Sequence, residues 1–352
     1  MKAYVLEGIG ELLFQEVKTP VLKAGEVLVE VRAAGICGSD LPRIFQTGTY
    51  HFPTIPGHEF SGKVVEAYGE EERAWVGRRV GVFPLIPCGT CFTCKEEQYE
   101  MCRSYNYLGS RCDGGFAEFV AVPVWNLIEL PEQTSYEEAA MLEPASVALH
   151  AVRKLDLTKK ESAALFGLGT IGSIIVQWLS LNGIENVIAT GHRQEFGEVM
   201  RRTANPSYRY FNANSGDAVP WIMSQTNQMG VDIAIDCIGS ETSLTDCLKS
   251  VRPGGQILIV GNPKGDLNLP KDVYWQLLRK QITVRGTWNS LFLHRPDDDW
   301  NTVLSSCARG DLHLAELITH RLSFEHLQEG LDIMRQKQVY RNKVMICKTK
   351  YM

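Results

Sequence analysis

Residues 162–172 read SAALFGLGTIG, an apolar run from Ser162 to Phe166 followed by Gly167-Leu168-Gly169-Thr170-Ile171-Gly172. The run has the length and composition of a buried strand. The next stretch, SIIVQWLSLNG (173–183), reads as a helix, and NVIAT (186–190) as a second strand. A G-x-G-x-x-G alone is a weak signal, but between a strand and a helix it marks a dinucleotide-binding turn. Gly167 permits the tight turn, Gly169 lets a pyrophosphate approach the backbone, and Gly172 lets helix and strand pack closely. The helix N-terminus, with Thr170 and Ile171 in its first turn, then faces the phosphates. Further strands follow at VDIAID (231–236), QILIV (256–260) and ITVRGT (282–287), alternating with helical stretches. That alternation indicates a doubly wound parallel α/β sheet across residues 150–288.

The tip of the second strand sets the cofactor. An NAD site usually places Asp or Glu there to bond the ribose 2′-hydroxyl. Here the strand runs into Gly191-His192-Arg193, with Glu185 before the strand and Glu195 beyond its tip. Glycine makes room, and the two basic side chains suit a 2′-phosphate. The sequence therefore favours NADP(H), with NAD(H) the alternative if Arg193 is only a solvated surface residue.

Pro87 to Cys102 reads PCGTCFTCKEEQYEMC, with cysteines at 88, 91, 94 and 102. Short x2 gaps let one loop present several thiolates to a tetrahedral zinc. A local disulfide cluster would need an oxidising compartment, and the apolar stretch in MKAYVLEGIG at the N-terminus is too short for a secretory signal. A nucleic-acid zinc ribbon would want two C-x2-C pairs set farther apart and a basic face. The net charge is −5 and no basic run stands out. A closed four-sulfur site does no chemistry, so the reading is one structural zinc, with the chemistry elsewhere.

The rest of residues 1–130 is β-like: VLVEVRAAGIC (27–37), KVVEAYG (63–69), RRVGVF (78–83) and GFAEFVAVP (115–123). Such short, β-branched runs broken by Gly and Pro argue for a compact, partly barrel-like β domain. Its loops carry metal-type residues in GICGSD (35–40) and PGHEF (56–60), and Glu143 opens an apolar helical stretch. Cys, His and carboxylate are the ligand set of a catalytic zinc. Spacing alone does not bring Cys37, His58, Glu59 and Glu143 together. Near the C-terminus two amphipathic helices and a final strand, KVMICK (343–348), pack back on the first domain. The length of 352 residues suggests two domains, and no apolar run reaches the ~20 residues that span a bilayer. The six other cysteines are scattered, which suits a reducing, cytoplasmic compartment.

Taken in order, GICGSD, PGHEFSG, the four-cysteine loop, GGFAEF, LEPASVALHA and GLGTIG resemble the zinc-containing medium-chain dehydrogenase/reductase family from end to end. The resemblance implies a GroES-like β catalytic domain from residues 1–149 and 289–352, with a Rossmann cofactor domain (150–288) inserted. It implies a catalytic zinc held by Cys37, His58 and a carboxylate. Glu143 stands where many alcohol dehydrogenases have a cysteine, as in the polyol branch, and Glu59 ligates directly or by exchange with water. Cys88, Cys91, Cys94 and Cys102 match the structural zinc loop. Ser39 matches the hydroxyl that takes the first proton from the bound alcohol, whereas Pro42 replaces the histidine that passes it on, and Tyr50 and His51 are nearby in sequence. Within the family, CGSDLPRIF and GSRCDGGFAEF look most like the branch that interconverts a hexitol phosphate and a ketose phosphate. That branch uses NAD and carries Asp where this chain has Gly191. The implied activity is hydride transfer between NADP(H) or NAD(H) and a polyol or polyol phosphate, with a secondary-alcohol or threonine-type dehydrogenase as the alternative. A phosphorylated substrate needs a cationic pocket, for which Arg43, Arg111 and Arg295 are the candidates. The family also implies a homodimer or homotetramer joined near ITVRGTW, and the charge and the lack of a long apolar run argue against a nucleic-acid or membrane partner.

Overall fold

β-Branched residues alternate along the N-terminal third, and these segments form β1 (Lys2–Gly8), β2 (Glu11–Glu16), β3 (Glu26–Ile36), β4 (Glu59–Ala67), β5 (Arg79–Val82), β6 (Leu85–Ile86), β7 (Asn106–Tyr107), β8 (Phe119–Pro123) and β9 (Leu127–Glu129). The middle gives β10 (Ser162–Phe166), β11 (Asn186–Gly191), β12 (Arg209–Asn212), β13 (Val231–Asp236), β14 (Val251–Ile259) and β15 (Thr283–Gly286). Two more, β16 (Ile318–Ser323) and β17 (Lys343–Cys347), follow near the C-terminus. The structure, a computed structural model, describes residues 1–203, 208–336 and 338–348.

The chain divides into two units. One comprises Met1–Ser146, Leu291–Gly310 and Ile318–Met352; the other comprises Val147–Ser290 and Asp311–Leu317. The short 311–317 segment packs in the second unit because the Gln177 amide bonds both the His313 N–H (2.8 Å) and its carbonyl (3.3 Å).

The first unit is built on a sheet in the order β16-β17-β3-β4-β5-β9, with β8 also on β3. The long β3 buries Val27, Val29 and Val31 in the core, where they meet Phe60, Val64 and Phe116. Residues 291–310 join this unit through aromatic packing: Phe83 lies 5.4 Å from Trp300 and 5.6 Å from Phe292, both edge-on. The antiparallel β3–β4 register pairs Gly35 with Glu59. Cys37, just past the end of β3, and His58, just before β4, therefore come to the same end of the pair. Gly57 precedes His58 with φ +95°, and a Cβ there would lie 2.6 Å from the Phe116 ring. Only glycine suits that turn.

The second unit is an all-parallel sheet ordered β12-β11-β10-β13-β14-β15. The order reverses between β10 and β13, the switch point at which a doubly wound sheet binds nucleotides. β10 leads into Gly167, which has φ +98°, and the helix Thr170–Leu181 starts directly after Gly169. Gly172 packs against the Gly167 carbonyl where a Cβ has no room. The helix buries Ile174, Ile175, Val176 and Leu179 on the sheet. This unit is a Rossmann arrangement, and the first is a GroES-like β unit. Among the described residues no helix is long and apolar enough to cross a membrane.

Gly57→Ala tests the turn that presents His58. Left-handed backbone and contact with Phe116 together cost about 2–4 kcal/mol. Urea denaturation should show that loss, and metal analysis should show weakened zinc retention.

Candidate functional site

The four loop cysteines converge. Their sulfurs lie within 4.8 Å of one another, with Cys91–Cys94 at 3.5 Å, Cys91–Cys102 at 3.8 Å and Cys88–Cys94 at 3.9 Å. A tetrahedral zinc with Zn–S of ~2.3 Å has S–S edges of about 3.8 Å. The spacing thus fits zinc, and it is far too long for the ~2.05 Å of a disulfide. The loop curls because Gly89 has φ +70° and the short helix Phe92–Lys95 turns Cys94 inward. The Thr93 hydroxyl, 3.2 Å from the Cys91 sulfur, together with backbone N–H groups, lowers that thiol to about 5. A thiolate is what a metal requires.

A second cluster forms at the β3–β4 end, where ligand atoms of Cys37, His58 and Glu59 lie within 4.8 Å of one another. Its supports are buried. Asp40, wholly inaccessible, accepts the Cys37 N–H at 2.9 Å and lies 3.3 Å from His58 Nδ1. Burial would raise the Asp40 carboxyl, but His58, Arg43 and the Cys37 N–H together hold it below its ordinary value. Asp40 and Arg43 Nη1, the latter at 3.4 Å, both face Nδ1, which leaves Nε2 for a metal. Glu59 pairs with Lys343, both side chains being almost completely buried. Burial would lower the Lys343 ammonium; Glu59 and Cys37 reverse this and hold it above its ordinary value.

Glu143 stands beside this cluster and outside the three-residue set. It opens the helix Leu142–Val152, and its Oε1 accepts the Tyr107 hydroxyl at 3.1 Å. Burial, together with the neighbouring Glu59 charge, pushes its carboxyl up to about 6, against the pull of His58, Lys343 and Tyr107. Two carboxylates repel, and the phenol holds one of them back. Ser39 Oγ lies 3.3 Å from the Cys37 sulfur and accepts from Arg43 Nη1 at 3.1 Å. The donor set of thiolate, imidazole and carboxylate fits zinc.

In the second unit Gly191 ends β11, so His192 and Arg193 begin the turn beyond the strand tip. The Asn214 side chain holds His192 at its ring (3.1 Å) and its carbonyl (2.7 Å). The Tyr210 hydroxyl bonds both the N–H (3.1 Å) and the carbonyl (2.5 Å) of Arg193. It would also lie 3.0 Å from a Cβ at position 191, so a side chain there would press on Tyr210.

Residues 23–132 match the alcohol dehydrogenase GroES-like domain, and residues 170–309 match the zinc-binding dehydrogenase family. The chain belongs to the zinc-dependent medium-chain alcohol dehydrogenases. It is 31% identical to galactitol 1-phosphate 5-dehydrogenase of Escherichia coli K12 over 95% of this chain and 97% of that one. It is 30% identical to sorbitol dehydrogenase of Bacillus subtilis over 98% and 97%. The crystal structure of the E. coli galactitol-1-phosphate dehydrogenase superposes with a TM-score of 0.86, covering 99% of this chain and 100% of that one at 30% identity. A zinc-binding dehydrogenase from Sinorhizobium meliloti bound to NADP gives 0.87 at 26% identity, covering 98% of each chain. An alcohol dehydrogenase from E. coli CFT073 complexed with NADH gives 0.88 at 26% identity, covering 99% of each. The protein is an oxidoreductase of the zinc-dependent alcohol and polyol type, using zinc, a nicotinamide cofactor and a small-molecule substrate.

The three arginines fare differently in this dehydrogenase. Arg295 is bound at 2.7 Å to both carboxylate oxygens of Glu97. Arg43 bonds Ser39 and lies 3.6 Å from Asp40. Arg111 is stacked between Tyr50 and Tyr105. His51 is a loop brace, with Nε2 at 3.2 Å from the Arg111 carbonyl. Reading the sequence for ligands missed Asp40, Tyr107 and Lys343. Asp40 had a signal, a carboxylate three residues after Cys37. Tyr107 and Lys343 had none, because they reach the site from strands distant in sequence.

The Glu143 shift sets a pH dependence for the metal-free protein. Its carboxyl titrates at about 6, against a usual 4.5. The native state therefore keeps a proton that the unfolded chain releases, and stability falls as pH rises between those values. The fall is about 2 kcal/mol. Urea denaturation at a series of pH values should show this slope, and Glu143→Gln should flatten it.

Proposed function

We propose that the enzyme interconverts a polyol, or its phosphate, and the corresponding ketose, with NADP(H) as hydride carrier. The observation that carries this reading is the convergence of Cys37, His58 and Glu59 beside Glu143 and Ser39. Cys37, His58 and Glu143 are the zinc ligands, with Glu59 an exchangeable carboxylate within reach. Cys88, Cys91, Cys94 and Cys102 hold a second, structural zinc. The first unit is the catalytic domain and the second binds the dinucleotide through Gly167, Gly169, Thr170, Ile171 and Gly172.

Bound zinc supplies a Lewis acid for the substrate oxygen, and the nicotinamide supplies or accepts the hydride. The chain's own residues position and move the proton. Ser39 exchanges it with the substrate hydroxyl. Arg43 Nη1 donates to Ser39 Oγ at 3.1 Å, and the Ser39 hydroxyl lies 3.3 Å from Cys37 Sγ, so it is held beside the cluster. Asp40 accepts the Cys37 N–H and stands 3.3 Å from His58 Nδ1, which holds both residues in place. Pro42 carries no titratable group, so it is no part of a relay.

The cofactor preference rests on Gly191, His192 and Arg193, and on Tyr210, which a side chain at position 191 would press on. NADP and NADH occur in different structural neighbours, so the local residues support the preference. The exposed edge strand β15, with Val284 and the nearby Trp288 both accessible, supports pairing with a second copy of the chain.

Reduction of tagatose and tagatose 6-phosphate with NADPH and NADH tests the reading. Activity on at least one sugar, with preference for NADPH, is expected. Inactivity on both, with turnover of simple secondary ketones, would overturn it. Arg193→Gln should raise KM for NADPH roughly 10–100-fold and leave NADH unchanged. Metal analysis should find two zinc ions per chain. A chelator that removes the catalytic ion should lower kcat/KM by at least about 10³-fold.

A further inference from the structure

We propose that Arg111, clamped between Tyr50 and Tyr105, is the anion anchor that makes the substrate a phosphate ester. This rests on the polyol–ketose reading and names its substrate class. The guanidinium carbon lies 3.9 Å from the Tyr50 ring centre and 4.4 Å from that of Tyr105. Stacking between two rings removes water from the cation's faces and leaves its N–H edge for a partner. Among the described residues no acceptor meets the guanidinium: Nε is buried without a hydrogen bond, which leaves the two terminal nitrogens for a partner, and there is no ion pair. Asp113, the nearest carboxylate in sequence, directs Oδ1 to the Ile55 N–H at 2.9 Å.

The clamp is rigid. The Arg111 N–H donates to the Tyr107 carbonyl at 2.9 Å, its carbonyl meets His51 Nε2, and Tyr50 N–H reaches the Ser110 carbonyl at 3.3 Å. A relay of aromatic contacts links it to the reactive cluster. The Tyr105 ring stands 6.1 Å from that of Tyr107, which stands 5.8 Å from His58 and bonds Glu143. The other arginine candidates are committed, Arg295 to Glu97 and Arg43 to Ser39 and Asp40. A pre-oriented, unpaired guanidinium takes a phosphate by two parallel N–H···O bonds.

The experiment compares wild type, Arg111→Gln and Arg111→Lys in three measurements. They are kcat and KM for tagatose and tagatose 6-phosphate, calorimetric binding of inorganic phosphate to the zinc-loaded enzyme without cofactor, and melting temperature. Wild type should prefer the ester. Arg111→Gln should raise KM for the ester roughly 10–100-fold, leave kcat and the free-sugar KM near wild type, and abolish the arginine-dependent phosphate binding. Arg111→Lys should restore part of the ester preference, since charge remains and the planar fork is lost. An ester preference that survives Arg111→Gln would overturn the assignment and leave the sugar-phosphate reading standing. An equal loss for both sugars with a lower melting temperature would make Arg111 a loop brace only, which also overturns it. Inactivity on both sugars would sink the polyol reading; the phosphate calorimetry then decides the anion site separately, and equal binding by wild type and Arg111→Gln would end it.

Discussion

The pairing of β3 with β4 is the constraint on which the reactive cluster depends. Gly35 faces Glu59 across that pair, and Gly35 has no room for a side chain against the Glu59 carboxylate. A slip of one residue would turn His58 and Glu59 to the opposite face. β17 pairs with the other edge of β3, Val344 opposite Ile36, and so delivers Lys343 to Glu59. Two successive strands and one distant in sequence thus fix the cluster. A sheet holds such positions more tightly than a loop would.

The cluster concentrates buried charge. Asp40, Glu59 and Glu143 are carboxylates shielded from water, and His58, Arg43 and Lys343 oppose them. Buried charges are tolerated when paired, and removing one partner leaves the other uncompensated. Asp40 is held down by its neighbours, whereas Glu143 is pushed up by burial and by Glu59. Two carboxylates of the same chemical type are thereby given opposite tendencies by their surroundings. The four-cysteine loop follows a different logic. Its ligands lie within fifteen residues, so local turns alone can gather them.

The arginines show how tertiary contacts sort residues of equal charge. Glu97 takes up the charge of Arg295, while Arg43 is bound into the support of Ser39 and His58. Arg111 keeps an open edge because its neighbours are aromatic rings, which attract a cation without filling its hydrogen-bond donors. In the second unit Tyr210 performs a comparable selection: it braces the Arg193 backbone and fills the space beside Gly191.

Several features were legible in the sequence because they are local. The βαβ unit around Gly167–Gly172, the strands at 27–36 and 231–236, and the thiolate loop each depend on short-range periodicity or spacing. β12 was not legible, since RYFN is a short, half-buried edge strand with little alternation. The order of motifs along the whole chain was enough to indicate the dehydrogenase family. The sequence by itself determined the parallel dinucleotide-binding sheet, the four-cysteine loop and the residue types available for chemistry. Only the tertiary structure decided that Lys343 neutralises Glu59, that Tyr107 holds Glu143, and which arginine is left without an acceptor. Those outcomes depend on contacts between residues up to about three hundred positions apart, and strand register, invisible to local pattern, is what brings them within hydrogen-bond distance.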